Sequence, residues 1–445
     1  MVKEMGNTVM NSTCLIAILF ALPAFCQSVS QGIPMFRGNL SHTGVYDAAG
    51  VRKFSQIKWK FKTAGKVISS PAVAGGAVYA GSTDMHVYAV DRETGQLKWK
   101  FGTGSVVTSS PAVDGNLVYF GSFDGNFYAV DAASGAVKWK FETEGERRFA
   151  HRSLHGLHPS GETMSDPWDI YLSSPAISGG AVYFGSGDGY VYALDAATGA
   201  LKWKFRTGSV VHASPAIAGG TVYIGSWDSY LYALEAASGK LKWRFQTGTD
   251  PQIGNQQGFQ SSPAVVDGTV YTGCRDSKVY AIDAESGQKK WEFSNNGSWV
   301  ITSPAVYDGK VYFGTSDTGL FQALDAKTGA KLFTIEAKFP VFSSPAIAGG
   351  TAYVGTFDGK LHAFDLKTRE PLWVFETEAS KQNAPAFTNR DGKIDWNVMI
   401  AANFIDEMVI GLGRIFTMGS IVSSPVVEKD AVYFGSTDGY LYALR

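Results

Sequence analysis

The chain has 445 residues, a formal net charge of −1 and only 18% charged side chains. Near-neutrality without a run of like charges argues against nucleic acid or anionic lipid as a partner. Length alone would suggest two or three domains, but 51 glycines and a high aromatic content (28 Phe, 20 Tyr, 11 Trp) suit one large all-β body with many tight turns.

Lys3 lies in a polar lead, and the unbroken apolar run Cys14 to Phe25 is too short to span a bilayer comfortably. Residues 1–26 therefore read as a secretory signal, with cleavage after Ala24 or Cys26. Bulky Phe25 sits where a lipoprotein signal carries a small residue, which weighs against lipid on Cys26. Cys274 is then the one cysteine sure to remain, so no disulfide is expected. It stands where other repeats carry Ser or Thr, and reads as a small residue at a packed turn rather than a reactive thiol. Residues 27–56 form an irregular, turn-rich lead-in.

From residue 57 the chain repeats. In the copy at 172–205, Gly/Asp turn signals separate four strand-length segments. The opening Ser-Pro element recurs at Pro71, Pro111, Pro175, Pro215, Pro263, Pro304, Pro345 and Pro425. The closing aromatic recurs at Trp59, Trp99, Trp139, Trp203, Trp243, Trp291, Phe333 and Trp373. The bare spacing is 40 residues (Trp59 to Trp99 to Trp139). Ile57–Phe61 has a closing strand with nothing before it, and the chain stops at Arg445 after a third strand. The expected fold is an all-β, eight-bladed β-propeller of four-stranded blades, closed by the N-terminal strand completing the C-terminal blade. Trp59, Trp99, Trp139, Trp203, Trp243, Trp291 and Trp373 are expected to pack between blades, and the aspartates at the second turn to bond their own backbone. Residues repeated in every blade are architecture, not chemistry.

The string Ala193-x-Asp195-x-x-Thr198-Gly199-x-x-x-Trp203 resembles the signature of the PQQ-like, or quinoprotein-type, propeller family. The resemblance covers residues 57–445. It implies the fold, and two kinds of function: dehydrogenases, and non-enzymatic scaffolds such as the BamB-like outer-membrane assembly propellers. Phe36-Arg37-Gly38-Asn39 with His42-Thr43-Gly44 also looks like the entry segment of PQQ-like repeat proteins.

Function is expected where the spacing breaks, at the inserts 143–171, 247–260 and 377–420. All three join a closing strand to the next Ser-Pro strand and so emerge on one face, the predicted binding surface. The first carries His151, His155 and His158, with His212 on the next inner strand; the three loop histidines could ligate a metal, but their spacing matches no standard motif. Trp168-Asp169 resembles the Trp-Asp segment of alcohol-oxidising quinoproteins. In that reading Asp169 would be the general base beside PQQ and calcium. Tyr171 replaces the second acid, no adjacent cysteines exist, and the calcium ligands cannot be assigned; the plainer reading makes Trp168 a loop anchor and Asp169 a turn or cap residue. The second insert offers Asn255, Gln256, Gln257 and Gln260, with Arg275 in the turn that follows, for a polar ligand. In the third, 389–395 is an incomplete calcium loop and reads as a turn. Trp396, Ile400, Phe404 and Met408 recur at i+4, which predicts a short helix, either a lid over the channel or a partner-binding element.

The favoured expectation is an exported, monomeric binding or scaffold propeller with no cofactor, periplasmic or outer-membrane associated, without a transmembrane segment. It would hold an envelope protein or a small polar ligand on the insert-bearing face. The alternative is a PQQ-dependent dehydrogenase acting on an alcohol or sugar.

Overall fold

The computed structural model describes Met1 and residues 34–151, 163–248, 258–399 and 404–445, and Gly32–Arg445 forms one compact unit. Within it, eight four-stranded antiparallel blades follow one another along the chain. Blade 1 is built on Ala72–Gly102, blade 2 on Ala112–Glu142, blade 3 on Ala176–Arg206 and blade 4 on Ala216–Gln246. Blade 5 is built on Ala264–Ser294, blade 6 on Ala305–Glu336, blade 7 on Ala346–Glu376 and blade 8 on Val426–Leu444.

Blade 3 shows why the repeat folds this way. Its register aligns Ala176 with Tyr183, Tyr183 with Ala193, and Ala193 with Trp203, so small and large side chains alternate across the sheet. Side chains of the second strand are buried throughout, whereas along the outermost strand Leu201–Arg206 only the Trp203 position is buried. The closing tryptophans do pack between blades: the Trp139 indole donates to the Ala196 carbonyl of blade 3 (3.1 Å). Gly199, at φ +74°, lies under that ring, and a Cβ there would stand 2.6 Å from Trp139 Cε3. The repeated Thr-Gly turn is thus paired with the tryptophan of the blade before it.

Six of the second-turn aspartates, Asp84, Asp124, Asp188, Asp228, Asp276 and Asp438, accept the amide two residues on, as expected of Asx turns, and some are also couplers. Asp188 accepts from the Tyr190 amide (2.9 Å), the Tyr192 hydroxyl (2.7 Å) and the Glu144 amide of the incoming connection (2.9 Å).

Closure is by the N-terminal strand. Ile57–Lys62 pairs antiparallel with Tyr440–Leu444, placing Trp59 opposite Ala443 as the fourth strand of blade 8. A second closure lies at the axis. The amide of each second serine of the Ser-Ser-Pro element, or its equivalent, donates to the serine Oγ of the next blade: Ser70 to Ser110, then Ser174, Ser214, Ser262, Ser303, Ser344, Ser424 and back to Ser70, at 2.8–3.2 Å.

The lead-in is more ordered than its turn-rich sequence suggests. It runs along the inner strands near their Gly-Gly turns, opposite the inserts. Its carbonyls accept from the amides of Val113, Ile217, Val265, Val306 and Ile347 in five blades. Val45–Tyr46 adds a parallel strand to blade 7, and Arg37 is buried, donating to the carbonyls of Pro345 (2.6 Å) and Pro304 (3.0 Å). The segment plugs one end of the channel.

All three inserts occupy the connections predicted for them. In the third, the i+4 pattern over 396–408 gives two helices, Trp396–Met399 and Phe404–Thr417, the second extending well past the predicted end. Leu412 and Ile415 continue the apolar side and are buried, which carries the helix onward. A further helix, Glu378–Asn383, is capped by Thr377, whose Oγ1 accepts from the Ser380 amide (3.1 Å). Residues 389–395 form a turn in which Asn389 Oδ1 accepts from the Asp391 and Lys393 amides (both 3.0 Å). Among the described residues, no helix is long and apolar enough to cross a membrane.

Candidate functional site on the insert-bearing face

The first insert is held to the blades by buried charge. His212, on the segment leading into the inner strand of blade 4, presents Nδ1 to Asp169 Oδ1 (2.7 Å) and Nε2 to Glu146 Oε1 (2.9 Å). All three side chains are buried. Burial by itself lowers the pKa of the imidazole, but the attraction of Asp169 and then Glu146 outweighs it and holds the ring protonated up to about 10. The other Asp169 oxygen accepts from the Phe149 amide (2.6 Å). One carboxylate therefore ties both ends of the described part of the insert to blade 4.

A second pair lies beside it. Arg275, at the variable position before the aspartate of the blade 5 turn, is fully buried and bonds Asp166 of the first insert. Its guanidinium is sandwiched between Trp299 (3.7 Å) and Trp227 (4.8 Å), and the Phe149 ring stacks on the far face of the Trp227 side (4.3 Å). Asp166 Oδ1 also accepts from the Trp168 amide (2.8 Å), and the Gln260 side-chain amide donates to the Trp168 carbonyl (2.7 Å). Replacing Arg275 with methionine removes the fully buried cation that Asp166 pairs with, and is expected to cost about 3–5 kcal/mol. Urea-unfolding midpoints check this; adding Asp166→Asn to the same chain should recover much of the loss.

Over the channel axis the first and third inserts meet. Trp168 lies parallel to Phe357 (6.1 Å) and against Phe342 (5.6 Å). Met399, Leu412, Ile415 and Met418 of the third insert join Ile170, Ile301, Phe339 and Val422 in one apolar cluster. Tyr171 sits beneath, donating from its hydroxyl to the Val422 carbonyl (3.0 Å). The third insert is thus the lid over the channel mouth.

The residues singled out from sequence fall into three groups. His212, Trp168, Asp169 and Arg275 come together, but as anchors of the first insert; Arg275 faces tryptophans rather than solvent. His151 lies on the short strand Ala150–His151, paired with Met164–Ser165. His155, His158, Asn255 and Gln256 lie outside the described residues. Among the described residues no group of three His, Cys, Asp or Glu is arranged to hold a metal. Cys274 is buried at its packed turn, 3.4 Å from the Gly258 carbonyl, and burial pushes its thiol pKa up, which suits packing rather than reactivity.

Glu146, Phe149, Trp227 and Trp299 were not foreseen. Trp227 and Trp299 had a signal, since each puts a large ring where other repeats have smaller residues. Glu146 had none, being one of several acids in a polar loop.

These residues do not fit a calcium-bound quinone in the funnel. The mouth is filled by Trp168 and the lid, and Asp169 is wholly buried with both oxygens engaged, so Asp169 is not placed to take a substrate proton.

No curated protein sequence matches the chain. Among solved structures, BamB from Moraxella catarrhalis is 20% identical with TM-score 0.61, covering 88% of this chain and 97% of that one. A europium-containing methanol dehydrogenase is 17% identical with TM-score 0.67, covering 93% and 98%. The quinohemoprotein alcohol dehydrogenase from Comamonas testosteroni is 15% identical with TM-score 0.67, covering 93% and 80%. At these identities the likeness is one of fold. Residues 51–157, 153–297 and 293–445 match the family model described as outer membrane protein assembly factor BamB. The chain belongs to that family of PQQ-like propellers.

Proposed function

We propose that this protein is an exported, non-enzymatic binding propeller that works in the periplasm or at the cell envelope, holding a protein partner on its insert-bearing face. The observation that carries the reading is the division of labour in the third insert. Leu412 and Ile415 of the helix Phe404–Thr417 are buried over the axis, while Val409 (61% exposed), Ile410 (40%) and, beside them, Val398 (42%) stand in solvent. A closed channel mouth that carries an outward apolar ridge suits docking of a partner better than admission of a small substrate. The family description and the M. catarrhalis likeness support a partner from outer-membrane protein assembly.

The second reading, a PQQ-dependent dehydrogenase, is favoured by the fold likeness to the two dehydrogenases and opposed by the filled funnel. Two measurements separate them. Titration of the purified protein with PQQ and calcium is expected to give no bound-quinone absorption and no dye reduction with alcohols or sugars; uptake with turnover overturns the proposal. Val409→Asp with Ile410→Asp is expected to abolish at least tenfold of the retention of envelope proteins by the immobilised chain while leaving its melting temperature unchanged. Undiminished retention counts against the ridge.

A further inference from the structure

The channel axis holds a chamber whose chemistry neither reading uses. Phe36 of the lead-in lies at its base and Tyr171 and Leu172 toward the insert side, with Thr108, His212 and Gln260 in its wall. About 40 Å³ of it is open to a water-sized molecule. That is room for a few waters, since each needs roughly 10–15 Å³ by this measure.

The wall is dominated by donors. All eight serines of the axial ring line the chamber and are buried. Each Oγ already accepts the amide of a neighbouring blade. None of these eight hydroxyls donates to a protein acceptor among the described residues, so their protons are left for the axis. Thr108 Oγ1, 4% exposed as a residue and also in the wall, has no hydrogen-bond partner in the protein. Ring serines that each accept one amide and keep a proton unspent can turn eight donors toward an electron-rich occupant.

Charge points the same way. Arg37 is 1% exposed and bonds only the carbonyls of Pro304 and Pro345, the residues that follow ring serines Ser303 and Ser344. No carboxylate pairs with it among the described residues. Burial lowers its pKa, but only to about 10, so the guanidinium stays charged at neutral pH. A buried cation without a counter-charge is costly, and an anion one layer away would offset it. Gln260 Oε1, the unpartnered acceptor in the wall, suits a water beside the anion.

We infer that the axial serine ring is a binding site for a small monovalent anion of halide size, held by converging serine hydroxyls and balanced by Arg37. The volume open to a water-sized molecule, about 40 Å³, suits an ion of that size. The site is independent of what binds the outer face. It would stiffen the hub where eight inner strands meet, as any ligand of the native state does.

Crystals of the full chain soaked in sodium bromide test it directly. At the bromine edge an anomalous peak is expected on the channel axis within hydrogen-bond reach of the ring hydroxyls. In solution the melting temperature should climb with sodium chloride or bromide and level off, relative to sodium gluconate at equal ionic strength. Arg37→Met should remove that difference. Should that variant fail to fold, Ser174→Ala with Ser303→Ala should weaken the halide response in the same assay. Water alone on the axis of bromide-soaked crystals, or identical melting in halide and gluconate, overturns the inference.

Discussion

His212→Leu is expected to destabilise the protein by about 3–5 kcal/mol, because it leaves Asp169 and Glu146 buried without their shared cation. The loss should be seen first as early proteolysis of the first insert, whose described ends are tied down through Asp169, and then as a lower urea midpoint. The wild-type protein carries a matching pH signature. His212 titrates near 6.5 when unfolded and is raised to about 10 in the fold, where burial opposes protonation but Asp169 and Glu146 prevail. A raised pKa means that the folded state binds the proton more tightly. Its contribution is therefore complete below pH 6.5 and is lost as the pH rises through 10. Stability measured by urea unfolding should fall across that window in the wild type and stay flatter in His212→Leu. Equal slopes in the two proteins would show that the imidazole is not charged in the fold.

The same residues show what a sequence discloses. The ring, its closure and the place of the inserts were legible because the repeat prints them many times: a serine at each axis position, an aspartate at each second turn, and a tryptophan under six of the following Thr-Gly or Ser-Gly turns. The anchoring of the first insert was not, because its contacts are made once and far apart. Glu146 lies 66 residues from His212, and Asp166 lies 109 from Arg275. No periodicity records such pairings. Asp169 illustrates the consequence: Trp168-Asp169 resembles a catalytic segment, but the Asp169 side chain is spent on holding the loop. The lead-in is similar. Arg37 bonds residues 267 and 308 positions away, so a stretch that reads as irregular becomes the plug of the channel.

Deleting the chain through Lys62 is expected to abolish the native monomer. The strand Ile57–Lys62 is the fourth of blade 8, so its removal exposes an unpaired edge along Tyr440–Leu444. It also removes Trp59, which donates to the Arg92 carbonyl of blade 1 (2.8 Å) and whose ring underlies Gly95. Losing one such buried indole costs about 3–5 kcal/mol, against a total stability of about 5–15 kcal/mol for a typical domain. Blade 8 then lacks its outermost ladder, and the seam between blades 8 and 1 lacks the Trp59 contact. The Ser424-to-Ser70 bond at the axis, the Val67 amide on the Ser436 carbonyl and the Arg92–Glu428 ion pair remain across it, and one hydrogen bond contributes only about 1 kcal/mol. The lead-in goes with the strand, which removes the Val51 carbonyl that receives the Trp373 indole of blade 7 (2.8 Å) and loosens a second seam. Size-exclusion chromatography with light scattering should show aggregates or an expanded chain, while truncation ahead of residue 34 should give a compact monomer. A compact monomer from the longer deletion, with an unchanged urea midpoint, would mean that the ring does not depend on its N-terminal strand.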